Sequence, residues 1–141
     1  MLFFVDFKIK YMKPIKIFLV DDDHIFVFLA KKTIETTNYA TQIKEFGNGK
    51  NTIDYLKEIA HDMELLPDII FLDLNMPVMD GWGFLEEYQL LEPKIKKKIP
   101  LYLVSSSISP HDIARAKNFS IVSDFFSKPL VKEKLIELFN N

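Results

Sequence analysis

Asp68-Ile69-Ile70-Phe71-Leu72-Asp73-Leu74-Asn75-Met76-Pro77-Val78-Met79-Asp80-Gly81 is the stretch that decides the fold. Ile69 to Leu72 is an uninterrupted apolar run, short and bulky, without the alternation of a half-wet strand. It suits a strand covered on both faces. The run stops at a carboxylate, Asp73, and Pro77 with Asp80-Gly81 marks a turn just beyond it. Asp73 is therefore expected at the carboxyl end of a buried strand, facing a loop. In an open parallel α/β sheet that edge is where ligands bind. A lone acid in such a place often does no more than cap a turn, so its meaning depends on the rest of the chain.

Upstream, Ile15 to Val20 reads as a second buried strand, and it runs straight into Asp21-Asp22-Asp23. From His24 to about Thr37, apolar Ile25, Phe28, Leu29 and Ile34 recur near helical spacing with Lys31, Lys32 and Glu35 between them, which predicts a helix. Thr41 to Phe46 is a weaker, alternating strand and Gly47-Asn48-Gly49 a turn. Asn51 to Ala60 predicts a helix packing Ile53, Leu56 and Ala60, and His61 to Pro67 a loop.

Downstream, Gly81 to Leu91 predicts a helix carrying Phe84, Leu85, Tyr88 and Leu91, stopped by Pro93. Lys94, Lys96, Lys97 and Lys98 form a basic loop, read as a solvated connection. Leu101 to Val104 is a strand ending in Ser105-Ser106-Ser107. Ser109, Pro110 and Asp112 then suit the N-cap, first and third positions of a helix running to about Asn118. Val122 to Ser127 is a fifth strand, closed by Lys128-Pro129. Val131 to Phe139 is a last helix burying Leu135, Ile136 and Phe139. Five strands alternating with five helices predict a parallel sheet with helices on both faces.

At 141 residues the length fits one domain, and no second, output domain is expected within it. Hydrophobic residues make up 48%, which excludes a disordered chain. A net charge of −2 gives no basic field for gripping nucleic acid, so no nucleic-acid partner is expected. The absence of Cys excludes disulfides and thiolate metal sites and fits a reducing compartment, so a cytoplasmic location is expected. Met1-Leu2-Phe3-Phe4-Val5 is apolar, but Asp6 and Lys8 interrupt it far short of a membrane-spanning length. Residues 1–13 read as a frayed or misannotated N-terminal extension to a domain over 14–141, because Met12-Lys13-Pro14 looks like a second start.

Every strand but the weak second ends in a residue with chemistry: Asp21 and Asp22, Asp73, Ser105 and Lys128. In a parallel sheet these ends share one edge. Three carboxylates gathered there repel one another by several kcal/mol at intermediate dielectric unless a cation joins them. Oxygen-only ligands suit Mg²⁺ better than zinc, which favours His or Cys. A carboxylate beside such an ion can attack phosphorus and form an aspartyl phosphate. Lys128 would offset charge on the phosphoryl oxygens and the Ser105 hydroxyl could donate to one of them. Asp23 and His24 have blander readings, as a helix-entry acid and a bystander, and Trp82 as a helix-packing residue.

V-D-D-D at 20–23, D-x-N-M-P-x-M-D-G at 73–81, Ser105 after an apolar strand and F-x-x-K-P at 125–129 resemble the receiver domain of two-component response regulators. The resemblance runs from about Ile15 to Phe139. It implies a flavodoxin-like, doubly wound five-stranded sheet of order 2-1-3-4-5 with five helices. It implies Asp73 as phosphoacceptor, Mg²⁺ bound by Asp21, Asp22, Asp73 and the backbone carbonyl of Asn75, and Ser105 and Lys128 acting on the phosphoryl group. Ser105 and Phe125 would be the switch pair, and Lys128-Pro129 a cis peptide. The implied role is a signalling receiver rather than an enzyme, catalysing its own phosphorylation and dephosphorylation. The implied partners are a histidine kinase or histidine phosphotransfer protein and a downstream protein target, met through the fourth helix, fifth strand and fifth helix. Phe125 lacks the hydroxyl of the commoner Tyr, so its switching would rest on packing alone, and the resemblance places Asn75 and Ser107 at the two positions that in this family tune phosphoryl lifetime.

Two other readings compete. Asp21-x-Asp23 has the spacing of a haloacid-dehalogenase-type phosphohydrolase, although His24-Ile25 fits that pattern poorly. A phosphorylation-independent adaptor is the other, opposed by the full set of site residues.

Overall fold

The computed structural model describes residues 13–141, so the extension read over 1–13 lies outside the described residues except for Lys13. Five parallel strands, β1 (Ile15–Val20), β2 (Thr41–Phe46), β3 (Ile69–Leu72), β4 (Leu101–Ser105) and β5 (Val122–Ser127), form one sheet in the order β2-β1-β3-β4-β5. Between and after them run α1 (His24–Glu35), α2 (Gly49–Ile59), α3 (Gly81–Leu91), α4 (Pro110–Ala116) and α5 (Lys132–Phe139), with a single 3-10 turn at Glu92–Lys94. This is the flavodoxin-like fold and strand order expected from the resemblance.

The side-chain alternation of the central strands builds two cores at once. Phe18, Val20, Ile70, Leu72, Leu101 and Leu103 point to one face, where Ile53 and Leu56 of α2 and Phe84, Leu85 and Tyr88 of α3 cover them. Ile17, Leu19, Ile69, Phe71 and Val104 point to the other, under α1 and α5. That double cover is why β3 reads as unbroken apolar sequence. The helices of the first face bury the residues expected of them, while Ile136 of α5 is only half-buried beside Leu135 and Phe139.

Helix α1 departs from the sequence reading. Ile25, Phe28 and Leu29 face solvent, at 74%, 59% and 51% exposure, and the buried arc is Phe26, Val27, Ala30 and Ile34. Ile25 to Ala30 is apolar throughout, so periodicity could not choose an arc. The choice is made by the entry of the chain, where the Asp23 carboxylate accepts from the Ile25 and Phe26 N–H groups and fixes the rotation of the first turn. Other boundaries move by one or two residues: α2 begins at Gly49 behind an Asn48 cap, and α4 ends at Ala116.

One irregularity bears on the site. β4 and β5 pair Leu101 with Val122 but Tyr102 with Asp124, so Ser123 is bulged out, its hydroxyl accepting from the Leu101 N–H at 3.3 Å. Beyond the bulge Ser105 stands opposite Ser127.

Candidate functional site

β1 and β3 are neighbours in register, Val20 beside Leu72, so the residues that follow them emerge together. The Asp73 N–H donates to the Val20 carbonyl at 2.9 Å and the Asp21 N–H to that of Phe46 at 2.8 Å, which pins both acids to the end of the ladder. One carboxylate oxygen from each of Asp21, Asp22 and Asp73 lies within 4.8 Å of the others. Asp21 and Asp73 are buried and Asp22 is exposed, so the cluster opens to solvent on one side.

Lys128 closes the other side. Its N–H donates to the Ser105 carbonyl at 2.9 Å, anchoring it just past the end of β5. Its Nζ sits 2.8 Å from Asp21 Oδ2 and 3.6 Å from Asp73 Oδ1, with the side chain 13% exposed. The same ammonium lies 4.3 Å from the centroid of the Phe26 ring. The Lys128-Pro129 peptide is cis, as the resemblance implied.

One ammonium stands among the carboxylates, and two of the acids are buried. Burial, and then the charge of Asp21, push the Asp73 carboxyl up to about 6, against the pull of Lys128 and of the Asn75 and Leu74 N–H groups. Burial also raises Asp21, opposed by its bonds from Lys128 and from the Asp23 N–H. A carboxyl held so high is one that a further cation would ionise. The donors gathered are oxygens alone and one of them faces water, which fits a hard divalent ion such as Mg²⁺ and not zinc.

The loop after Asp73 is held tightly against it. A Cβ built on Gly81 would stand 2.6 Å from the Asp73 carbonyl oxygen and 2.7 Å from the Leu74 Cα, and the Gly81 N–H donates to the Leu74 carbonyl at 2.9 Å. Only glycine permits that approach. Asp80 then caps α3 through Gly83 N–H at 2.9 Å. Between them, the Met79 N–H donates to the Pro77 carbonyl at 2.7 Å and Val78 takes φ +67°, the centre of a γ-turn in a conformation costly for a β-branched residue. Asn75 is exposed at the mouth of the cluster.

Ser105 is fully buried at the end of β4. Its hydroxyl donates to the Ser107 carbonyl and accepts from the Ser107 N–H, both at 3.3 Å. It is therefore engaged with its own loop rather than with the acids. Phe125, opposite Leu103, is half-buried against the core under α3. Asp23 is a helix cap and not a fourth member of the acidic cluster. His24, His61 and His111 lie on the surface, and Trp82 packs between Phe119 and the Arg115 guanidinium, 4.3 Å from its ring centroid. The sequence reading missed Phe26. It is one of six consecutive apolar residues, and nothing local marks it as the one beneath Lys128.

The family model described as the response regulator receiver domain matches residues 17–140. The chain belongs to that family. The probable methanogenesis regulatory protein FilR2 of Methanothrix harundinacea is 30% identical over 86% of this chain and 77% of its own length. Some other curated relatives are longer: the chain spans only 30% of the protein-glutamate methylesterase/protein-glutamine glutaminase of Symbiobacterium thermophilum. Among solved structures, a two-component response regulator from Cytophaga hutchinsonii superposes with a TM-score of 0.81 at 32% identity, covering 92% of this chain and 96% of that one. The phosphorylated cyanobacterial phytochrome response regulator RcpA superposes with a TM-score of 0.71 at 27% identity, over 89% of each chain. Among the described residues no helix is long and apolar enough to cross a membrane.

Proposed function

We propose that this receiver takes a phosphoryl group from a phosphohistidine, carried by a histidine kinase or a histidine phosphotransfer protein, onto Asp73. The observation that carries the reading is the convergence of Asp21, Asp22 and Asp73 within 4.8 Å, with Lys128 reaching two of them. A phosphorylated relative of this fold, RcpA, supports it. An oxygen of the Asp73 carboxylate attacks phosphorus, the P–N bond to the donor imidazole breaks, and the imidazole leaves with the electron pair. Asp21, Asp22, Asp73 and the Asn75 carbonyl would hold Mg²⁺, which when bound offsets the charge of the phosphoryl oxygens. Lys128 pairs with those oxygens from the opposite side, and the Ser105 hydroxyl leaves Ser107 to donate to one of them. Hydrolysis of the resulting acyl phosphate returns Asp73 to a carboxylate.

The movement of Ser105 vacates space beside β4 that Phe125 can fill, which would change the surface around α4, β5 and α5 for a downstream protein. Intact mass after incubation with Mg²⁺ and acetyl phosphate or phosphoramidate tests the reading. We expect a single added phosphoryl mass in the parent protein and none in Asp73→Asn. An adduct that survives that substitution, or none in the parent, overturns it.

A further inference from the structure

We infer that Phe26 is a positioning residue for Lys128: its ring face holds the ammonium in the pocket and aims it at the oxygens of Asp73. The inference deepens the proposed phosphoryl transfer and rests on that reading. Lys128 is largely desolvated, so its ammonium needs a favourable contact on every side. Asp21 supplies one at 2.8 Å and Asp73 a longer one at 3.6 Å. A further side meets the Phe26 ring at 4.3 Å, within the range where the negative face of an aromatic ring attracts a cation. A leucine there would exclude water equally well and return no electrostatic attraction.

The ring is itself fixed. Phe26 is buried on the inner face of α1, in one cluster with Leu19, Val104 and Leu130, and its N–H donates to the Asp23 carboxylate at 3.1 Å. Asp23 in turn donates its own N–H to Asp21 Oδ1 at 2.8 Å. The three consecutive acids thus build one rigid corner: Asp21 pairs with the lysine, Asp22 opens to solvent, and Asp23 sets the ring on which the lysine rests. The contact with Phe26 has a property the acid contacts lack. A cation shared by Asp21 and Asp22 weakens the hold of Asp21 on Lys128, because two positive charges compete for one carboxylate. The ring's attraction is untouched by that competition, so it keeps the ammonium in the site while its partner changes from Asp21 to the group on Asp73.

The test replaces Phe26 alone, by codon suppression, with phenylalanines bearing one, two and three ring fluorines, which drain the negative face while keeping shape and apolarity. Phe26→Leu is the comparison lacking a ring. In ¹³C-lysine-labelled protein without Mg²⁺, the Lys128 CεH₂ protons should be shifted upfield by the ring current, and that shift should vanish in Phe26→Leu. The rate of phosphorylation by acetyl phosphate with Mg²⁺ should fall stepwise with fluorine number, by roughly fivefold to thirtyfold in all, the range for losing a desolvated cation–π contact. Mg²⁺ affinity by calorimetry should stay within about twofold, because no metal ligand is altered. A flat rate series in a protein whose parent is phosphorylated, or a Lys128 signal unmoved by Phe26→Leu, overturns the inference. A parent that takes no phosphoryl group instead overturns the proposed function, and the lysine shift still decides where the ammonium sits.

Discussion

Asp73→Asn should stabilise the metal-free protein at neutral pH, and the structure gives the size. The Asp73 carboxyl ionises at about 6 in the fold against an ordinary value of 3.8. Below pH 3.8 folded and unfolded chains both hold the proton and Asp73 contributes nothing. Between the two values the folded state keeps a proton that the unfolded chain has released, so stability falls as pH rises. Above about pH 6 the full penalty is present, on the order of 3 kcal/mol from the gap between the two values. Asparagine carries no charge and its side-chain oxygen can accept from the same Leu74 and Asn75 N–H groups. The variant should therefore exceed the parent by roughly 2–3 kcal/mol near pH 7.5, and by less than about 1 kcal/mol near pH 4.5. Urea unfolding with EDTA, at both pH values, measures this. Millimolar Mg²⁺ at the higher pH should raise the parent's stability and leave the variant nearly unmoved, closing the gap by mass action. An advantage that is the same at both pH values, or a variant weaker than the parent at neutral pH, would show that the carboxyl is not held up by burial and by Asp21.

Two substitutions probe the loop that backs Asp73. Gly81→Ala places a methyl 2.6 Å from the Asp73 carbonyl, and the clash outweighs the better helix propensity of alanine. A loss of about 1–3 kcal/mol is expected, together with weaker Mg²⁺ binding by calorimetry as the acid is displaced; unchanged stability would mean that the loop yields freely. Val78→Gly relieves a β-branched residue from φ +67° at a position 81% exposed, so almost no packing is lost. A gain of about 1 kcal/mol in urea unfolding is expected, and a loss would show that the turn is not strained.

The apolar runs at 15–20, 69–72 and 101–104 and the acids and serines that end them were legible without coordinates. Strand length, double burial and parallel connectivity are all consequences of local pattern, and a parallel sheet then puts every strand end on one edge. The clustering of Asp21, Asp22 and Asp73 follows from that topology, and the capping role of Asp23 from its place just before a helix. What only the tertiary structure decided are the matters of rotation and register. The exposed arc of α1, with Ile25, Phe28 and Leu29 outward, depends on how a uniformly apolar helix is turned against the sheet. The bulge at Ser123, which brings Ser105 opposite Ser127 and so seats Lys128 at the rim, depends on pairing between two strands. The Phe26 ring beneath that ammonium comes from residues far apart along the chain, and the raised ionisation of Asp73 from its burial and from the Asp21 charge brought beside it. Sequence pattern carries the period of burial along each element. It carries no record of which residue of one element meets which residue of another, and electrostatics at the site is set by those meetings.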